Sequence, residues 1–255
     1  MRIAYDIIGS KEKAVALIGV NAKNPKKAAK EIMKRHKNVK SVLQKLAERK
    51  DTYRLYPCKL LLGDKNTEVI HKEHGYFIKV DPQKVYFSPR ESTERQRIAN
   101  MVKPGEKVLV MFSGAGPYAM AISKKQPDCK ITCIEINLKG FEYSEKNARL
   151  NKLHNIKNIC SDVMYVRDID KFDRIIMPLV ERAIEYLDEA FLHSKKGAII
   201  HLYGLSNEKD NFKDIEERVK EKASIYNIKY KIIKEQKVLP YAPHVMKVRL
   251  DIRIL

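Results

Sequence analysis

Tryptophan is absent from the 255 residues, and cysteine occurs only four times, as Cys58, Cys129, Cys133 and Cys160. Thiols this sparse exclude a small fold stapled by disulfides. Cys129 and Cys133 share the strand-like stretch CKITC. No further ligands at zinc spacing accompany them, so reduced structural thiols and no metal centre are expected. No apolar run reaches the ~18 residues that would span a bilayer. The opening MRIAYDIIGSKEK has no apolar core of the signal-peptide kind, so a cytoplasmic chain without membrane association is expected. Acidic residues are scarce too: 32 Asp and Glu stand against 51 Lys and Arg, a formal net charge of +19. Residues 1–50 concentrate the excess, with 14 basic and 4 acidic side chains. Such a surface points to a polyanionic partner, nucleic acid ahead of an anionic membrane, or is merely a solvated basic face.

With 44% hydrophobic and 33% charged residues, the chain has the makings of a globular protein with one large domain or one domain plus a smaller one. IAYDII and AVALIGV, split by GSKEK, read as strand–turn–strand. NPKKAAKEIMKRHKN reads as a helix with Asn24 as its cap and Pro25 in its first turn. Strand-like pieces follow at KLLLG, TEVIHKE and YFIKV. From Gly105 onward strands alternate with helices: KVLVMF, KITCIEI, IKNICSD, DRIIMP and GAIIHLYG are separated by AMAISKK, FEYSEKNARLNKL and ERAIEYLDEAFLHS, and KDIEERVKEKASIY follows the last. This rhythm predicts a parallel sheet covered on both faces, with KVLPYAPHVMKVRLDIRIL supplying an antiparallel edge. The expected division is a small α+β domain over residues 1–85 and a Rossmann-like α/β domain over 86–255.

The segment VLVMFSGAGPYAM places Gly114 and Gly116 directly after the first long strand, where glycine lets backbone approach a ligand. Glu135 ends the second strand, 19 residues after Gly116, where a carboxylate can accept from both ribose hydroxyls. Asp162 ends the third. The full GxGxxG is missing, and Pro117 removes an N–H that a pyrophosphate would use. A nucleoside cofactor without phosphate, S-adenosylmethionine, fits better than a dinucleotide; a purely structural turn is the other reading.

These segments resemble the archaeal and eukaryotic tRNA (guanine-37 N1)-methyltransferase family. The resemblance runs from YDIIG at Tyr5–Gly9 to the C-terminal strands, beginning at the family's middle domain. It is carried most specifically by TEVIHKEHGYFIKVDPQKVYFSPRESTER (Thr67–Arg95), MFSGAGP, IEIN, SDV and IIHLYG. It implies a class I methyltransferase domain that uses S-adenosylmethionine, preceded by a smaller tRNA-positioning domain. By the same resemblance Arg90 is the catalytic arginine. Arg95, Phe112, Ser113, Gly114, Gly116, Glu135, Ile136, Asp162, Val163 and Pro178 are expected against the cofactor, and Met177 and Leu179 against the substrate. One departure is plain: the family's Asn-Leu-Pro or Asn-Pro-Pro after the fourth strand is here Met177-Pro178-Leu179-Val180, without the asparagine. Two other functions share the pattern. The related aminocarboxypropyl transferases use the same fold and cofactor, but YFSPRESTER follows the methyltransferases. An RNA-binding module that has lost its activity is the other.

Guanine N1 becomes nucleophilic only on losing its proton, and charge then grows on O6, where a cation such as Arg90 can stabilise it. Glu94, Glu135 and Glu181 are candidate proton acceptors. The bland alternative for Arg90 is a surface pair with Glu91 or Glu94. His71 and His74 lack the spacing of a metal motif and are read as structural or RNA-contacting; His201, in an apolar strand, is read as a core histidine. Lys26, Lys27, Lys30 and Lys34, with Lys23 and Arg35, form a stripe suited to tRNA phosphates. Tyr53, Tyr56, Tyr76 and Tyr86 are available for stacking on a flipped base. A monomer is expected.

Overall fold

The computed structural model describes residues 4–47, 55–207 and 209–255. β1 (Tyr5–Gly9) and β2 (Ala14–Ile18) form the expected hairpin, closed by Ser10 N–H donating to Lys13 O at 2.9 Å. α1 (Pro25–Arg35) then crosses over to β3 (Val39–Lys45), which runs parallel to β2, and β4 (Cys58–Gly63) pairs antiparallel with β3. Asn24 does not cap α1 with its side chain; its backbone is left-handed, at φ +52°. The helix stops at Arg35, before the expected end, because His36 turns extended and leads into β3.

This four-stranded sheet has two different faces. Ala14, Ala16, Ile18 and Val42 pack under Ala28, Ala29 and Ile32 of α1. Ile8, Val15, Leu17 and Leu43 join the core of the rest of the molecule. β5 (Val69–Glu73) and β6 (Tyr76–Val80) form a separate hairpin between the two parts. Gly9 N–H donates to His71 Nδ1 at 3.1 Å on one side.

α2 (Ser92–Met101), β7 (Lys107–Met111), α3 (Pro117–Lys125), β8 (Lys130–Glu135), α4 (Leu138–Leu150), β9 (Ile156–Cys160) and β10 (Phe172–Met177) follow. Then come α5 (Leu187–Leu192), β11 (Ser194–Asn207), α6 (Lys213–Ile225), β12 (Tyr230–Ala242) and β13 (Val245–Ile254). Asn147 of α4 and Asn151 just past its end act as a partner strand for β6: their side chains donate to and accept from the backbone of Lys79 and Phe77 at 2.6–3.0 Å.

The large sheet has the order β12-β13-β11-β10-β7-β8-β9. β9, β8, β7, β10 and β11 are parallel, and β13 runs antiparallel between β11 and β12. This is the Rossmann-like, mostly parallel sheet expected from the sequence, with β13 making the antiparallel pairing and β12 outermost. The region expected as one helix over 181–194 is instead a 3₁₀ turn, Ala183–Tyr186, and the short α5. Phe172 N–H donates to the His193 carbonyl at 2.8 Å and draws Ser194 into the sheet.

Charged groups are buried at the joint between α2 and the sheet. Glu94 accepts from Tyr203 at 2.7 Å and from Arg97 and Arg249. Arg249 and His201 both donate to Asp251, and Arg174 contacts the other His201 nitrogen at 2.7 Å. His201 is thus a core histidine with both ring nitrogens engaged. Burial pushes the Asp251 carboxyl up, but His201 and Arg249 outweigh it and hold it at about 2. Among the described residues no cluster of three His, Cys, Asp or Glu side chains could hold a metal ion, and no helix is long and apolar enough to cross a membrane.

Candidate active site

The strand order reverses between β7 and β10, and ligands bind beyond the carboxyl ends of strands at such a point. A cavity of about 280 Å³ lies there. Glu135, the last residue of β8, forms its acidic wall. Oε2 accepts from Gly114 N–H at 2.6 Å and Oε1 from Asn137 N–H at 2.8 Å. Each oxygen keeps a second lone pair for a ligand hydroxyl. Burial raises the Glu135 carboxyl above its ordinary range, against the pull of these backbone N–H groups. Gly140 makes room for this side chain: a Cβ there would lie 2.9 Å from Glu135 Cγ.

Phe112, just past β7, has φ +54°, a left-handed conformation that costs a bulky residue about 1–3 kcal/mol. Its ring meets Tyr186 edge-on, centroids 5.0 Å apart. Both line the cavity with Ser113, Gly114, Ile136, Val163, Pro178 and Leu179. Asp162 caps the turn at Val163 by accepting from Met164 N–H at 3.0 Å, and also lies on the wall. Pro117 opens α3 at this wall and offers no N–H. A carboxylate with spare lone pairs, apolar side chains and a helix start without its donor suit a nucleoside lacking phosphate. The residues present therefore fit S-adenosylmethionine.

Two expected contacts fall elsewhere. Gly116 does not line this cavity: it sits at φ +78° before α3, where a Cβ would come within 2.5 Å of Ser144 Oγ, so it serves helix packing. Met177, at the end of β10, is fully buried in the core and lines neither this cavity nor the one described below. Arg95 does reach the wall, but its guanidinium is committed. Nε donates to Glu73 at 3.0 Å, Nη2 to Ser88 O at 3.0 Å, and the Phe87 ring centroid is 5.2 Å away. Burial pushes the Glu73 carboxyl up, but hydrogen bonds from His71 and Arg95 prevail and hold it at about 2. The pair ties the β5–β6 hairpin to α2 and to the Ser88 loop.

A second, more polar cavity of about 590 Å³ adjoins the first. Tyr86, Phe87, Ser88, Glu91 and Glu181 line both. Its other walls come from distant segments: Asp6 and Ile8 of β1, Leu17 of β2, Lys45 of β3, Leu239–Ala242 of β12 and Lys247 of β13. Arg90 lies here and pairs with neither Glu91 nor Glu94; its Nε donates to Asp6 Oδ1 at 2.6 Å. Lys247 pairs with Glu91 at 2.9 Å. Tyr241 donates to Glu181. Tyr56, under the Lys45 ammonium at 4.1 Å, and Tyr86 are on the walls; Tyr76 is buried, its hydroxyl donating to Glu73 at 2.9 Å. Tyr53 lies outside the described residues.

Of the candidate proton acceptors, Glu181 borders both cavities, Glu135 only the first and Glu94 neither. Sequence reasoning missed Asp6, Glu91 as a wall residue and Lys247, because chain folding alone brings them together. His74 donates to or accepts from Ser92 at 2.9 Å, and with His71 on Gly9 neither histidine lines either of the two cavities. Lys26, Lys27, Lys30 and Lys34 are exposed on α1, across the small sheet from the second cavity.

Comparison with known proteins agrees with this geometry. The family model described as TRM5/TYW2 methyltransferase domain matches residues 69–233. A tRNA (guanine(37)-N(1))-methyltransferase, Trm5b, of Pyrococcus abyssi is 35% identical over 255 residues, covering 98% of this chain and 74% of its own. A solved complex of aTrm5 and tRNALeu superposes with a TM-score of 0.86 at 32% identity, covering 100% of this chain and 73% of that one. Methanocaldococcus jannaschii TYW2, solved in complex with AdoMet, gives 0.74 at 28% identity, covering 98% and 99%. The sheet order, the cavity at its switch point and these likenesses have one explanation: the chain belongs to the TRM5/TYW2 methyltransferase family.

Proposed function

We propose that this protein is a tRNA (guanine-37 N1)-methyltransferase using S-adenosylmethionine. The observation that carries the reading is the junction of the two cavities, one suited to a phosphate-free nucleoside and the other polar, with Arg90 in its wall. When bound, S-adenosylmethionine supplies a methyl group made electrophilic by its sulfonium. Glu135 holds the ribose side and so orients the cofactor toward the shared wall. The second cavity takes the flipped guanine, with Tyr86 at the junction. Arg90, held by Asp6, provides positive charge for O6 as the N1 proton departs. The carboxylates on the shared wall, Glu91 and Glu181, are those placed to receive that proton.

Methyl transfer from a sulfonium would release a neutral thioether, which supports a reaction without a metal ion. One chain supplies both cavities, which supports a monomer. A tRNA substrate supports a cytoplasmic location. The α1 lysines serve phosphates of a tRNA that extends well beyond the cavity.

The test is single-turnover methylation of a tRNA transcript carrying G37. Arg90→Ala should lower the rate at saturation by roughly 10²–10³-fold, with affinities for tRNA and cofactor changing far less. Lys should restore only part of the loss, lacking the planar fork. A loss confined to tRNA affinity would make Arg90 a binding residue only.

A further inference from the structure

We propose that Lys247 and Glu91 read the Watson–Crick edge of the target guanine, the ammonium donating to O6 and the carboxylate accepting from N1–H. This rests on the guanine-37 reading above.

Lys247 is a lysine with 2% of its side chain exposed, yet it lines the second cavity. Its Nζ lies 2.9 Å from Glu91 Oε2 and 4.7 Å from the centroid of the Tyr203 ring. That ring is itself fixed, because its hydroxyl donates to buried Glu94 at 2.7 Å. Glu91 is held from a second side by the Tyr86 hydroxyl, at 3.4 Å. A buried ion pair adds little to stability once desolvation is counted, so a fixed pair at a cavity wall calls for another role.

The chemistry of the pair supplies one. It offers a cationic donor immediately beside an anionic acceptor. The guanine edge offers the complement in the same order, the O6 acceptor beside the N1–H donor. Adenine offers the reverse, a 6-amino donor beside the N1 lone pair, so each contact would meet its like. Glu91 also lines the cofactor cavity, so a guanine whose N1–H it accepts has N1 at the junction, where the methyl group must arrive. Arg90 does not compete with Lys247, because O6 has two lone pairs.

The test uses the full chain, S-adenosylmethionine and tRNAs carrying guanosine, 6-thioguanosine or inosine at position 37, with single-turnover rates for the parent and for Lys247→Met. Sulfur accepts hydrogen bonds poorly, and its effect on N1 acidity is common to both proteins and cancels between them. The guanosine/6-thioguanosine rate ratio should be at least about tenfold smaller in Lys247→Met than in the parent, the value of one charge-assisted hydrogen bond. The guanosine/inosine ratio should be alike in both, since inosine keeps O6 and N1–H. Lys247→Arg should keep the parent's ratios within a few-fold. Where Lys247→Met does not fold, Lys247→Gln replaces it, with a fall of several-fold expected. An unchanged guanosine/6-thioguanosine ratio in the folded variant makes Lys247 structural and overturns the proposal. A parent that forms no 1-methylguanosine overturns the guanine-37 reading instead.

Discussion

Replacing Glu135 by Gln removes the charge from the cofactor cavity while keeping the side-chain volume. In the parent, the two carboxylate oxygens each take one backbone N–H, from Gly114 and Asn137, and each keeps a lone pair that a ribose hydroxyl could use. The NH2 group that replaces one oxygen meets a backbone donor with a donor and has no lone pair to accept a ribose hydroxyl. A hydrogen bond to a charged group contributes about 1.5–3 kcal/mol. The Kd for S-adenosylmethionine should therefore rise by roughly 10–150-fold. The parent should also show a pH dependence with a definite sign. Burial raises the Glu135 carboxyl above its ordinary range. Affinity should be full above that raised pKa and decline as the pH falls through it, sooner than an ordinary carboxylate would dictate. Folding stability moves the other way: a raised carboxyl contributes most below its unfolded pKa, and that contribution is lost as the pH rises through the folded one. Isothermal titration calorimetry across pH, with circular dichroism to check the fold, measures both. An unchanged Kd in a folded Glu135→Gln protein would refute the assignment of this carboxylate to the cofactor.

Gly140→Ala adds a methyl group 2.9 Å from Glu135 Cγ. It should weaken cofactor binding several-fold in calorimetry despite the better helix propensity of alanine, about 1 kcal/mol; an unaltered Kd would contradict the close approach. Replacing Lys26, Lys27, Lys30 and Lys34 by Gln should weaken tRNA binding and reduce the log–log salt slope by about 0.7–0.9 for each phosphate that is no longer neutralised. Equal slopes in filter binding would show that α1 faces away from RNA. Glu73→Gln breaks a buried pair with Arg95 and should lower stability by about 3–5 kcal/mol in urea unfolding. In the parent, Glu73 is held at about 2, so its contribution is present above the ordinary carboxylate range and is lost as the pH falls toward about 2. Equal acid sensitivity of parent and Glu73→Gln would argue against that.

The cofactor half of the site was readable in the sequence because local order creates it. β7 is buried along nearly its whole length, so its apolar run announces a parallel strand, and the residues just after it must lie at the sheet's carboxyl edge. Glu135 ends the next strand, and Asp162 lies two residues past the end of the one after it. β3 was missed because VKSVLQK interrupts its apolar positions with polar ones, and the first part of β12, KIIKEQK, because an outermost strand carries many exposed charges. The second cavity was hidden for a different reason. Asp6, Arg90 and Lys247 meet only through tertiary folding, and in sequence Lys247 is one more cation in a basic strand. Glu94 likewise read as a helix neighbour of Arg90, whereas Arg249, 155 residues away, claims it. Gly116 and Met177 show the limit of motif transfer: each lies next to wall residues and itself faces the core or a helix.

Guanine-37 methylation is tested most directly by mass spectrometry of nucleosides from tRNA incubated with the protein and S-adenosylmethionine. Guanosine 37 should gain one methyl group, placed at N1, and a transcript with adenosine 37 should gain none. An aminocarboxypropyl adduct, or a methyl group at any other position, would contradict it.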